Sequence, residues 1–173
     1  MKSGLRLAVV LFAAACFSLP VPARAEDAIN PASVASEANA SRALFGISPL
    51  TEDRKLDSIA RRKAADMLAR GYFSHSTPDG RNSWWWLKQS NYYYYFAGEN
   101  IAVGFSNAQN LETAWMNSPL HRANIINQRY TRIGVGAVTG TYLGKQTTFI
   151  VEYFSTPPQD YTKVLRTLTT NDS

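Results

Sequence analysis

Cysteine is almost absent from this chain. Its 173 residues include a single cysteine, Cys16, which lies close to the N-terminus. One cysteine cannot form a disulfide within the chain or supply the thiolates of a cysteine-rich zinc site. If the N-terminal segment described next is removed, thiol catalysis is excluded as well. The stability of the domain must then come from the burial of apolar residues.

Long hydrophobic runs are also missing, since no apolar stretch reaches the roughly 18 residues needed to cross a bilayer. We interpret residues 1–25 as a secretory signal, because Lys2 and Arg6 precede a short apolar stretch and a small-x-small cleavage site ends at Ala25. Cleavage before Glu26 predicts a secreted or periplasmic protein. Two alternatives remain open: an uncleaved anchor, and a lipoprotein signal that ends at the cysteine.

Neither sign of charge is in large excess. The chain has 18 Lys and Arg residues against 13 Asp and Glu residues, a formal net charge of +5. Loss of the signal leaves 15 basic against 13 acidic residues, a charge near +2. So weak a charge gives no electrostatic case for nucleic-acid binding. We expect no nucleic-acid partner, and we also expect a monomer without a transmembrane segment.

The length and apolar content fit one domain. We divide the mature chain into an N-terminal segment at 26–36, a domain at 37–156 and a flexible polar tail at 157–173. N-cap residues and prolines suited to a first helical turn predict where helices start. The predicted starts are Pro31, the N-cap Thr51, a position near residue 83, Ser106 or Asn107, and Ser118-Pro119.

The second of these helices is predicted to end at Gly71, and its residues Arg61, Arg62 and Lys63 fall mostly off the apolar face. Alternating apolar residues then predict two antiparallel strands, 133–139 and 147–154. Helices followed by a terminal sheet predict an α+β fold with a mostly antiparallel sheet.

An aromatic tract occupies residues 84–96, where eight of thirteen residues are aromatic. Trp and Tyr bury a large area in cores, so packing explains part of the tract. The alternative is an aromatic wall that lines a ligand groove. The candidate ligand surface consists of Trp84, Trp85, Tyr92 and Tyr94.

The chain contains two histidines, His75 and His121, and each lies beside turn residues. Glu99 lies between the aromatic tract and an apolar segment, where a carboxylate needs a partner. Two imidazoles and one carboxylate are the ligand set of an open zinc site, and also a set for acid–base catalysis. The alternative is that both histidines make structural hydrogen bonds.

Other catalytic signatures are missing from the sequence. It has no His-Glu-x-x-His, no Gly-x-Ser-x-Gly elbow, no dinucleotide fingerprint and no Walker loop. We therefore predict no organic cofactor.

Six segments, in order, resemble the CAP superfamily, also called the SCP domain, in its short bacterial branch. They are the helix exit ending at Pro49-Leu50, the second helix at 56–67, Tyr72-Phe73-Ser74-His75, Gly98-Glu99-Asn100, Trp115 to Ile125, and the terminal strands starting at Ile133-Gly134-Val135-Gly136. The resemblance covers residues 37–156. It implies a three-layer α-β-α sandwich with a central antiparallel sheet.

The resemblance also implies a surface cleft in which His75 and His121 hold a divalent metal such as zinc. Glu99 is then the cleft carboxylate and the candidate catalytic residue, with Asn100, Ser118 and Arg122 as supporting residues. Eukaryotic members often carry a second glutamate three residues after the tryptophan, where this chain has Ser118.

Three functions follow as alternatives. The first is a binding module whose partner is a small molecule, lipid, glycan, peptide or cell-surface component. The second is a zinc-dependent hydrolase that uses Glu99 as general base. The third is a structural surface-interaction protein, in which the histidines and Glu99 tie loops together.

Overall fold

The computed structural model describes residues 29–170. The predicted signal peptide, its cleavage site and Cys16 lie outside the described residues. Six helices lie within the described range: α1 (Pro31–Leu44), α2 (Arg54–Arg70), α3 (Ser83–Gln89), α4 (Ala108–Asn117), α5 (Pro119–Ile125) and α6 (Pro158–Thr170). The strands are β1 (Thr51–Glu52), β2 (Phe96–Val103), β3 (Arg132–Tyr142) and β4 (Lys145–Thr156).

Local capping groups define the helix ends. Asn30 caps α1 in a capping box with Ser33, and Pro31 occupies the first turn. The C-cap of α2 is Gly71 in the left-handed conformation, with φ of 66°, as predicted. The predicted N-cap of α2 was wrong: Asp53 accepts from the first turn, while Thr51 pairs with β3.

The sheet has the order β1-β3-β4-β2. Strands β3 and β4 form an antiparallel hairpin, β2 pairs antiparallel with β4, and the two-residue β1 pairs parallel with β3. The prediction of an α+β fold with a mostly antiparallel sheet is confirmed.

Helices cover both faces of this sheet. Apolar residues of α1, α4 and α5 form one core with Ile150 and Phe154 of β4. Residues of α2 and α3 form the other core with Phe149, Val151 and Tyr153 of the same strand. Because successive side chains of a strand alternate between faces, β4 is apolar on both sides and buried by both helical layers.

The chain after residue 157 differs from the predicted flexible tail. Residues Pro158–Thr170 form α6, whose Val164 is buried. Asp160 accepts a hydrogen bond from Nε of Arg132 at 2.6 Å, and Tyr161 stacks on Tyr95 with ring centroids 3.9 Å apart. These contacts anchor the helix to the domain, which composition alone did not reveal.

Candidate functional site

Glu99 lies in the middle of β2 with its side chain buried. Lys63 of α2, which is fully buried, donates a hydrogen bond from Nζ to Glu99 Oε2 at 2.6 Å. The same Nζ lies 2.8 Å from the carbonyl oxygen of His75 and 3.0 Å from Oγ of Ser83. A buried carboxylate and a buried ammonium thus neutralise each other, as burial of either charge requires.

His75 uses its Nδ1 to contact this carboxylate. Nδ1 lies 2.6 Å from Glu99 Oε1, and Oγ of Ser83 lies 2.7 Å from the same oxygen. An ionised carboxylate only accepts hydrogen bonds, so Nδ1 carries the proton. In the neutral form of the ring, Nε2 is then the lone-pair atom. The side chain is 56% exposed, which leaves that atom accessible to a ligand.

The environment of Glu99 keeps it ionised. Burial alone would raise the pKa of Glu99, but the hydrogen bond from His75 and the charge of Lys63 outweigh burial and lower it. Both carboxylate oxygens are already engaged. This geometry suits Glu99 to orient His75 through Nδ1, as carboxylates do behind metal-binding histidines. It does not suit a base that takes a proton from water.

His121 lies in α5 and is oriented by a hydroxyl group. Its Nδ1 is 2.8 Å from Oγ of Ser118, the residue that stands where eukaryotic relatives often carry a glutamate. Burial lowers the pKa of His121, and repulsion from His75 lowers it further, so the two rings are within electrostatic range. Each imidazole is therefore held through Nδ1 by an oxygen of its own supporting residue.

Two asparagines connect the elements around the histidines. Asn124 of α5 donates to the carbonyl oxygen of Glu99 at 3.1 Å and to Oδ1 of Asn100 at 2.9 Å. Asn100 in turn donates to the carbonyl oxygen of His121 at 3.3 Å and to Oε2 of Glu152 at 3.0 Å. Asn100 therefore links β2 to α5 and β4, and the sequence analysis did not name Asn124 or Glu152 as part of this network.

A cleft of about 320 Å³ opens beside His75. Its lining consists of His75, Ser76, Asn82, Ser83, Trp84, Glu99 and Asn124. A separate cavity of about 230 Å³ lies near α6 and contains none of the predicted site residues. Of the predicted site residues, His75, Glu99 and Trp84 line this cleft, whereas His121 is not part of the lining.

Not all of the predicted supporting and ligand-surface residues line the cleft. Trp84 lines the cleft and packs on Tyr94, with ring centroids 6.2 Å apart. Tyr92 is buried, and its hydroxyl donates to Asp53 at 2.8 Å, so Tyr92 is a packing residue. Trp85 and Arg122 do not line the cleft either. The guanidinium of Arg81 lies over the ring of Trp85, and the guanidinium of Arg122 lies over the ring of Phe45.

Lys63 is the main residue that sequence reasoning misplaced. It was predicted to lie mostly off the apolar face of α2, yet it is fully buried. Its position four residues after Ile59 and four before Met67, both buried, is the helical spacing that could have revealed this. A charged residue at such a position indicates a buried partner.

The comparisons with known proteins agree with the fold and the motifs. The profile of the cysteine-rich secretory protein family, abbreviated CAP, matches residues 36–154. Because this match covers more than half of the chain, the chain belongs to the CAP family.

Relatives of known sequence are longer than this chain. The Bacillus subtilis protein YkwD is 39% identical over 113 residues, which make up 62% of this chain and 44% of YkwD. The B. subtilis membrane protein YlbC is 31% identical over 98 residues, or 57% of this chain and 28% of YlbC. The chain therefore spans less than half the length of these two relatives.

Solved structures share the fold. An extracellular protein of Bacillus anthracis that contains an SCP domain is 28% identical with a TM-score of 0.63, covering 73% of this chain and 40% of that chain. An outer surface protein of Borrelia burgdorferi has a TM-score of 0.60 at 20% identity, covering 71% of this chain and 90% of that chain. Within residues 29–170, no helix has the length and apolar character of a bilayer-spanning segment.

Proposed function

We propose that this protein is an exported binding module whose cleft holds a divalent transition metal between His75 and His121. The observation that carries the proposal is the hydrogen bond at 2.6 Å between His75 Nδ1 and Glu99 Oε1. It fixes the tautomer that makes Nε2 a metal-binding lone pair. Ser118 supports His121 through the corresponding Nδ1 atom.

The donor set fits an open site rather than a closed one. Among residues 29–170, no group of three or more His, Cys, Asp or Glu side chains is placed to hold a metal ion. Two imidazoles would therefore be the protein ligands, and water or a ligand group would complete the coordination. A bound metal would polarise that ligand group as a Lewis acid. We expect an affinity in the micromolar range.

The geometry favours binding over hydrolysis. The hydrolase alternative needs Glu99 as general base, but its two oxygens are occupied by Lys63, Ser83 and His75, and its pKa is lowered. The network also ties α2 to β2, as the structural alternative requires. That alternative leaves the exposure of His75 without a purpose.

Export follows from the predicted signal at residues 1–25. The Bacillus anthracis and Borrelia burgdorferi neighbours are described as extracellular and outer-surface proteins, and this supports the same location for the present chain. We propose that the partner is a small molecule or a cell-surface component.

Zinc titration by isothermal calorimetry tests the metal site. The chain contains two histidines, so tag-free protein carrying H75A and H121A has no imidazole at all. We expect one site in the wild type, no site in the double variant, and weaker binding in S118A because His121 loses its orienting hydroxyl. Unchanged binding in the double variant, or no binding in the wild type, would refute the proposed metal site.

A further inference from the structure

Trp84 is the aromatic side chain that lines the cleft beside His75. It is 37% exposed, a considerable fraction for a residue as large as tryptophan. The ring is supported by Tyr94, at a centroid distance of 6.2 Å and an interplanar angle of 48°. An indole supported in this way offers a ligand a fixed apolar surface at low entropic cost.

The other tryptophans of α3 are used for packing. The guanidinium of Arg81 covers the ring of Trp85 at 4.5 Å. Trp86 is buried and packs edge-on against Trp85, with ring centroids 5.1 Å apart. The packing explanation of the aromatic tract therefore accounts for these two residues and leaves Trp84 as the one directed to the cleft.

The electrostatics of the cleft favour an uncharged ligand. Glu99 carries the formal negative charge of the lining, and Lys63 neutralises it at 2.6 Å. The lining contains no Lys or Arg side chain that would attract a phosphate or carboxylate. Without a bound metal, these side chains therefore give a strongly charged partner little attraction.

The remaining lining is polar. Ser76 contributes a hydroxyl, His75 an imidazole and Asn82 an amide that caps α3 through Oδ1 while keeping its two donor hydrogens. Apart from Trp84, the lining has no large apolar side chain, so an acyl chain would bury little apolar surface there. The cleft suits a ligand with one apolar face and many hydrogen-bonding groups.

We propose that the cleft binds a neutral saccharide, with the face of one sugar ring against Trp84 and its hydroxyls toward His75, Ser76 and Asn82. A pyranose ring has this character, because C–H groups cover its faces and hydroxyls surround its rim. The volume of about 320 Å³ lies at the lower end of the range for small-molecule sites and suits a short saccharide segment. This inference rests on the proposed function, since it uses the same cleft.

The test measures binding of tetra-N-acetylchitotetraose and cellotetraose, two neutral saccharides, to the tag-free protein by calorimetry. We expect W84A to bind at least about tenfold more weakly, because the stacking surface is lost. W84F retains an aromatic face and should remain within about threefold of the wild type. Y93S removes a more exposed aromatic residue outside the cleft lining and should leave binding unchanged.

Several results would overturn the saccharide site. They are a wild type that binds neither tetrasaccharide, a W84A variant of unchanged affinity, or Trp84-dependent binding of heparin or phospholipid vesicles in place of the neutral sugars. Zinc titration of W84A in parallel separates the two proposals. Intact zinc binding without saccharide binding refutes this inference alone, whereas Trp84-dependent saccharide binding without zinc binding refutes the metal site and supports this inference.

Discussion

Glu99 and Lys63 show how a buried ion pair can orient an exposed side chain. The pair links β2 to α2 beneath the cleft, and Glu99 accepts a hydrogen bond from Nδ1 of His75. A buried ion pair adds little net stability compared with apolar residues, but losing one partner leaves an uncompensated charge. We infer that the pair exists to hold His75 in one tautomer.

Replacement of Lys63 by methionine should therefore destabilise the fold. We expect K63M to lower the free energy of unfolding by about 3–5 kcal/mol, because Glu99 stays buried without its cation. Urea unfolding at neutral pH measures the loss. K88M, at an exposed position of α3, is the matched control and should change stability by less than about 0.5 kcal/mol. Equal stability of K63M and K88M would contradict the role of Lys63.

At the scale of elements, the close contact between α2 and β3 determines where the sheet lies. Gly134 and Gly136 both face the helix, and a methyl group at either position would overlap helix backbone, at Leu56 and Asp57 or at Ala60 and Arg61. Asp57 also accepts a hydrogen bond from the backbone N–H of Val135 at 2.8 Å. The Gly-x-Gly pattern of the final strands is thus a packing requirement of the fold.

A methyl group at Gly136 should separate the helix from the sheet. We expect G136A to destabilise the protein by about 1–3 kcal/mol or more, because neither backbone can move freely. The melting temperature measures the effect. G140A is the matched control on the same strand, since its methyl would meet only the flexible end of Leu68. A G136A protein at least as stable as G140A would show that the helix can shift at little cost.

At the scale of the whole molecule, two carboxyl groups lie in the core formed with α4. Glu152 is fully buried, and its Oε1 has no hydrogen-bond partner within residues 29–170. Burial and the nearby Glu112 raise the pKa of Glu152 well above its usual value. Burial likewise raises the pKa of Glu112 to about 7, against a smaller opposing effect of Ser41. The folded chain therefore binds protons here that the unfolded chain releases.

This pair makes stability depend on pH in a definite direction. Because the folded pKa of Glu112 is raised, its favourable contribution is complete below the unfolded pKa near 4.5 and is lost as the pH rises to about 7. E112Q removes this dependence and should be more stable than the wild type at pH 8 by about 3 kcal/mol. Urea unfolding at pH 4.5 and pH 8 measures the difference.

Glu99 makes the stability of the fold depend on pH in the opposite direction. Its lowered pKa gives stability that is present above the unfolded pKa and lost as the solution becomes more acidic. E112Q should leave that acid limb unchanged, so the comparison separates the Glu112–Glu152 pair from Glu99. E52Q, at an exposed carboxylate on β1 that does not act on Glu112, serves as the control. A pH profile of E112Q identical to the wild type would contradict the raised pKa.

Much of the fold could be predicted because its signals are local. The helix end at Gly71, the short helix from residue 83 and the two antiparallel strands follow from turn chemistry and from the spacing of apolar residues. Strands β1 and β2 were missed because each is defined by its pairing with a strand distant in sequence. Helix α6 was missed because its anchoring contacts come from Tyr95 and Arg132.

The sequence by itself determined several helix ends, the hairpin of β3 and β4, the family and the candidate histidines, since caps, turns and motifs are short segments of adjacent residues. Tertiary structure alone decided that Glu152 is buried, that Lys63 pairs with Glu99 and that Glu99 supports His75. It also decided that Trp84, rather than Tyr92, reaches the cleft. These outcomes depend on which residues from distant segments come into contact. The electrostatic cost of burying a charged group depends on those contacts and cannot be assigned from the sequence alone.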